Sequence, residues 1–114
     1  LDEIKSKNLI FESHRKGKIL NLELEKLKEK SNGRISYILG KGLISAILFS
    51  DPKTGEPDNF LASEIAHKCY QKGLLVVHTG RESIKIGPPL TISDEALLEG
   101  INVIEESFIE AIKK

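Results

Sequence analysis

From Leu97 onward the apolar residues fall at Leu97, Ile101, Ile104, Phe108 and Ile112, three or four positions apart. That spacing lines one face of an α-helix and does not fit a strand. Two earlier stretches carry the same signature. Leu20, Leu24 and Leu27 form one stripe; Ala62, Ile65, Ala66, Cys69 and Tyr70 form another. Each stripe must be covered, and the runs between them are short and rich in Ile, Leu and Val. Three one-sided helices need a common surface, and short strands are the material available to build it.

The punctuation sets the boundaries. Residues 2–30 read as mostly helix, with Ile4 and Ile19 added to the stripe and Gly17 interrupting it. A glycine inside a helix costs about 1 kcal/mol against alanine, so Gly17 implies a close helix contact or a kink. Ser31-Asn32-Gly33 ends this helix. Ile35–Leu39 and Leu43–Phe49 read as strands around Gly40-Lys41-Gly42. Residues 51–58 hold two prolines, a glycine and several turn formers, which makes an exposed loop. Asp58 or Asn59 caps a helix running to about Lys72, and Gly73 closes it. Leu74–His78 reads as a third strand, Thr79–Ser83 as a turn and Ile84–Ile86 as a fourth strand stopped by Pro88-Pro89. Ser93 caps the last helix, with Asp94 and Glu95 in its first turn. The expected fold is α+β, in the order α-β-β-α-β-β-α. Its sheet is small and largely antiparallel, with three to four strands and the helices packed on one face.

Composition narrows the function. At 114 residues the chain is one domain, and 39% apolar residues supply one core. Seventeen basic and seventeen acidic residues cancel, which argues against a broad nucleic-acid surface. The basic run His14-Arg15-Lys16-Gly17-Lys18 and the acidic positions after Ser93 read as solvated helix faces. Cys69 is the single cysteine, so no intrachain disulfide forms and a reducing compartment fits. No apolar run reaches the roughly 20 residues that span a membrane. The chain starts at Leu1 and has no methionine, which suits a piece of a longer polypeptide.

The residues alone give no catalytic constellation. Gly40-Lys41-Gly42 lacks the third glycine and the following helix of a phosphate loop, so it reads as a tight turn. Glu64 and His67 have the E-x-x-H spacing of carboxylate-bridged metal sites, but no second pair accompanies them. His14, His67 and His78 show no ligand spacing among themselves. Cys69 lies on an apolar stripe and reads as a packed thiol.

The segment Ile84-Lys85-Ile86-Gly87-Pro88-Pro89-Leu90-Thr91-Ile92-Ser93-Asp94-Glu95 resembles a pattern of class III aminotransferases. In that family a strand ends in Pro-Pro-Leu-Thr before an acidic helix start near the C-terminus. Leu39-Gly40-Lys41-Gly42-Leu43-Ile44 resembles the family's R-G-K-G-L-M turn. The loop Asp51–Pro57, the step Ala66–Leu75, the first helix and the tail Leu98–Glu106 continue the likeness in order. The resemblance therefore spans essentially the whole chain.

It implies that residues 1–114 are the C-terminal small domain of a fold-type-I enzyme that moves an amino group between an amine and a 2-oxo acid. The implied cofactor is pyridoxal phosphate, held by a large domain of the same polypeptide. That missing domain carries the Schiff-base lysine, the aspartate for the ring nitrogen and most phosphate contacts. No catalytic, cofactor-binding or metal-binding residue is therefore expected in this chain, and the chain alone should be inactive. The implied partners are the large domain, a second copy in a homodimer and small-molecule substrates, with no nucleic acid or membrane, in the cytoplasm. Two positions depart from the pattern. Leu39 stands where the family usually has Arg, and Lys85 stands where many members have the Arg that grips a substrate carboxylate. Lys85 is the expected substrate-binding residue, with a point charge in place of a rigid fork. The alternative reading is a non-catalytic regulatory or dimerisation module.

Overall fold

The computed structural model describes the backbone of residues 3–89 and 92–113, with side chains from residue 8 onward in those ranges. The elements follow the expected order: α1 (Glu3–Lys30), β1 (Ile35–Lys41), β2 (Ile44–Phe49), α2 (Asn59–Gln71), β3 (Val77–His78), β4 (Ser83–Ile86) and α3 (Asp94–Ile112). The four strands form one antiparallel sheet in the order β1-β2-β4-β3. Among the described residues no helix is long and apolar enough to cross a membrane.

Strand alternation decides which residues enter the core. In β2 and its leading turn, Leu43, Ser45, Ile47 and Phe49 are buried, and the residues between them are more exposed. Ile84 and Ile86 of β4 share that inner face. Against it pack Leu20, Leu24 and Leu27 of α1, Leu61, Ala62, Ile65 and Cys69 of α2, and Leu97, Ile101, Ile104 and Phe108 of α3. Burial of each large aliphatic side chain contributes about 1.5–3 kcal/mol, which outweighs the weak propensity of such short strands. Phe49 stacks on Phe108 with ring centroids 6.4 Å apart, tying β2 to α3.

Gly17 marks a close contact. A Cβ there would meet the Gly42 carbonyl oxygen at 2.2 Å. Gly40 meets the same helix: its Cβ position lies 2.2 Å from Asn21 Oδ1. That oxygen accepts a hydrogen bond from the buried Ser45 hydroxyl at 2.9 Å. Helix α1 is thus pressed onto the β1–β2 hairpin at three glycines. Gly42 has φ +58°, so one residue both turns the hairpin and admits the helix.

The junctions are closed by side chains. Ser31 Oγ donates to the Lys28 carbonyl and accepts from the Ile35 amide, joining the end of α1 to the start of β1. Asp58 caps α2 by accepting from the Leu61 amide at 2.9 Å. Ser93 caps α3 by accepting from the Ala96 amide at 3.1 Å. Asp51 Oδ1 accepts from the amides of Lys53 and Thr54, which folds the 51–58 loop and holds that carboxyl below its usual range.

Several expectations need adjustment. The third strand shrinks to Val77–His78, because the Leu74 amide donates to the Cys69 carbonyl and closes α2. Tyr70 leaves the stripe of α2 and is exposed, since it lies one residue past the buried Cys69 on the helix. The basic run of α1 is more than a solvated face: Lys16 is buried and Arg15 reaches across to α3. The side chain of Ile4 and both residues Leu90 and Thr91 lie outside the described residues.

Candidate functional site

The helices cover one face of the sheet. On the other face, register places Leu39 opposite Ala46, Ala46 opposite Lys85, and Lys85 opposite Val77. These four residues form one row across all four strands, and their side chains share a face because each pair is directly cross-strand. A second row holds Lys41 and Ile44, and a third holds Tyr37, Leu48 and Ser83. Tyr37, Leu39, Ile44 and Val77 are 62%, 55%, 63% and 58% exposed. So much exposed apolar surface on one sheet face is unusual for a finished monomer surface.

Lys85 stands in the middle of this face. Neither it nor Lys41 forms a hydrogen bond or ion pair with the described residues. Both line one shallow hollow, whose floor and walls are Leu39, Gly40, Ile44 and Ala46. No carboxylate lines it. The arrangement sets two ammonium groups, with no ion pair to the described residues, around an apolar floor. Sequence reasoning singled out Lys85 and missed Lys41. The alternation of Leu39 and Lys41 along β1 was the available signal, and the Gly-Lys-Gly turn masked it.

The other candidates stay apart. Glu64 and His67 lie on the outer side of α2 beside Phe60 and Lys68. Among the described residues no three metal-ligating side chains come together. His14 lies beside Phe11, Arg15 and Lys18 on α1. His78 Nε2 donates toward the Arg81 carbonyl at 2.8 Å and Asn59 Oδ1 at 3.0 Å, bracing the turn before β4. Cys69 is fully buried, and desolvation raises its pKa. Its neighbour Ser107 is also buried, and the Ser107 hydroxyl beside the thiol works against that rise.

A further polar cluster holds the rim of the fold. Arg15 grips Asp94 through two bonds, of 2.9 and 3.0 Å, and its Nε donates to Glu12 at 2.7 Å. These hydrogen bonds depress both carboxyls below their usual range and push the guanidinium higher still. The clamp pins the start of α3 to α1, two residues past Ile92. Lys72 makes a similar tie at the far end, 3.0 Å from Glu110.

Two helix starts among the described residues can be compared with the needs of the pyridoxal phosphate that the resemblance implies. A phosphate seeks free amides at a helix N-terminus. At α2 the Leu61 amide is taken by Asp58, at α3 the Ala96 amide is taken by Ser93, and α3 opens with Asp94 and Glu95. Negative charge at both starts opposes a phosphate.

Residues 1–108 match the family described as aminotransferase class-III. The chain is 31% identical over 112 residues to the mitochondrial acetylornithine aminotransferase of Saccharomyces cerevisiae, covering 98% of this chain and 24% of that protein. It is 31% identical to the leucine/methionine racemase of Thermococcus litoralis, covering 96% and 25%. The crystal structure of acetylornithine aminotransferase from Elizabethkingia anophelis superposes with a TM-score of 0.80 at 33% identity, over 94% of this chain and 27% of that one. The chain spans about a quarter of the length of these relatives. A match through 108 of 114 positions, carried by the same helix and strand order, means that the chain belongs to the class III aminotransferase family.

Proposed function

We propose that residues 1–114 are the C-terminal small domain of a longer enzyme that transfers an amino group between an amine or amino acid and a 2-oxo acid. The bare sheet face forms one wall of its substrate cleft, and the large domain of the same polypeptide forms the other. The observation that carries this reading is Lys85, an uncommitted cation on an exposed apolar face.

Pyridoxal phosphate, held by the large domain, supplies the electron sink for the reaction. The part of this chain is positional. Lys85 Nζ donates to the substrate carboxylate and fixes its orientation, while Leu39, Ala46 and Val77 exclude water around that contact. Once the large domain covers the face, the contact strengthens, because the local dielectric falls. The parent works as a homodimer, and exposed apolar side chains away from the sheet face, such as Phe11 and Phe60, are available for such burial. The reduced, buried Cys69 is compatible with a cytoplasmic location.

The test is to express the gene with its upstream codons, record the absorption spectrum and assay transamination. A cofactor band and turnover are expected. Lys85→Ala should raise KM for carboxylate substrates by about tenfold to a hundredfold, as loss of a charge-assisted hydrogen bond does. Lys85→Arg should restore most of it. A full-length protein without a cofactor band, or without any change on Lys85→Ala, would refute the reading.

A further inference from the structure

Burial along α1 begins late. Lys16, Gly17 and Leu20 are buried, whereas Leu9, Ile10 and Phe11 are 42%, 60% and 65% exposed. The helix has 28 residues and is about 42 Å long. The chain measures 51 × 26 × 24 Å, so the first turns of α1 reach past the body that covers the rest of it. Successive helix residues turn by about 100°, and three consecutive apolar side chains therefore fan across about 200°. Leu9 stands eleven positions before Leu20, about three turns, and prolongs the buried stripe beyond the end of the core. Phe11 falls on the opposite side, in line with the exposed Leu22. A helix end that is apolar on opposite sides is not covered by one flat surface; it has to be enclosed.

The polar side chains beside Phe11 indicate what the enclosing surface carries. Phe11, His14, Arg15 and Lys18 line one hollow, and no carboxylate lines it with them. Arg15 is taken by Asp94 and Glu12. His14 and Lys18 have no partner among the described residues. An ammonium group covered together with a ring needs a counter-charge, so the surface that buries Phe11 has to present a carboxylate to Lys18.

Two bodies could supply that surface: the large domain proposed above and a second copy of the chain. In a C-terminal domain the polypeptide arrives through the first helix, which tethers the large domain at this end of α1. A short tether gives an effective concentration in the millimolar range, whereas a second copy must find the same helix end from solution. The chain spans 24% and 25% of the two relatives, so most of the surface of such a protein lies outside it.

We propose that the leading half of α1, at Leu9, Ile10 and Phe11, is a docking surface for the large domain of the same polypeptide. Its seat there is an apolar cleft whose rim carries a carboxylate paired with Lys18. Phe60 on α2 is left for a second copy. The proposal rests on the reading of residues 1–114 as a C-terminal domain. It goes beyond that reading by naming a contact apart from the open sheet face and the chemistry of its partner.

The experiment uses the full-length protein. Hydroxyl radicals label exposed side chains, and mass spectrometry reads the rate at each. Labelling of Phe11 is expected to fall at least about tenfold from its rate in the same protein in urea. A smaller fall would overturn the proposal, because the exposure that Phe11 has in this chain would then persist in the parent. A zero-length carbodiimide cross-linker next joins Lys18 to any carboxylate in contact with it. In dimers reassembled from heavy-isotope and unlabelled chains, links within one isotope identify a single polypeptide. Links from Lys18 to an upstream carboxylate of its own chain are expected, and Lys18→Gln should abolish them. Links to the other chain, or none to an upstream carboxylate, would defeat the proposal. A protein with a cofactor band and turnover whose Phe11 labels freely would remove this contact alone. A protected Phe11 with Lys18 linked upstream, in a protein without a cofactor band, would defeat the proposed reaction and leave this contact standing.

Discussion

Neighbouring positions of one strand meet opposite surroundings. Ile84 is fully buried beneath the helices, and Lys85 is exposed on the other face. The same contrast runs along β2, where Ile47 and Phe49 are sealed and Ile44 is open. The inner face is complete within this chain: three helices supply its cover, and Phe49 finds Phe108. The outer face has comparable apolar residues and no cover. Inner positions should therefore answer for folding, and outer positions for what the fold meets.

The largest expected effect tests that division directly. Phe49→Ala removes a ring from the sealed side and should cost about 3–5 kcal/mol. Tyr37→Ala removes a ring of similar size from the open side and should cost less than about 1 kcal/mol. Urea unfolding of the 114-residue chain measures both. Comparable losses at the two positions would erase the contrast between the faces, and would mean that the outer face is covered in solution by another copy.

A smaller effect probes how the inner face is sealed. By helix propensity alone, Gly17→Ala should stabilise α1 by about 1 kcal/mol. The Gly42 carbonyl, 2.2 Å from the added methyl, reverses the sign. The helix must lift from the hairpin, and overpacking of this kind costs about 1–3 kcal/mol. The expected outcome is a lower denaturation midpoint with an unchanged slope. A stabilised variant would show that α1 and the hairpin separate easily.

The residues differ in how much of this they disclosed. The three helical stripes and the alternation of Leu43, Ser45, Ile47 and Phe49 are local patterns, and each appears in the fold with small boundary shifts. Gly17 announced a close contact through its cost to the helix, but its partner Gly42 is a matter of tertiary packing. The shortening of β3 was hidden because Leu74 and Leu75 are good strand formers, and backbone closure of α2 claimed Leu74 instead. Lys85 was singled out through resemblance, and its place on the open face follows from the pairing register. Lys41 became visible only when the pairing register put it on the same face as Lys85. The Arg15–Asp94 contact spans 79 positions, and no local pattern encodes it.

That contact gives the smallest expected effect, because it lies at the exposed rim and belongs to neither face. Hydrogen bonds from Arg15 hold the Asp94 carboxyl below its usual range, assisted by the charges of Arg15 and Lys16. A carboxyl whose pKa is lower in the folded chain than in the unfolded one favours folding while ionised. Its contribution is complete above the unfolded pKa, about 4, and is lost as pH falls through the folded value. The midpoint of thermal unfolding should therefore decline as pH drops below about 4, with Glu12, Asp51 and Glu110 adding to the decline, since each is depressed likewise. Asp94→Asn should remove Asp94's share, giving a shallower acid limb, while the midpoint near pH 7 falls slightly. Solvent and salt screen a contact this exposed, so the difference between the two curves should narrow in 1 M salt. Acid limbs of equal steepness in the two proteins would mean that Arg15 is satisfied by Glu12 alone, and that α3 is held to α1 by the apolar inner face without help from its rim.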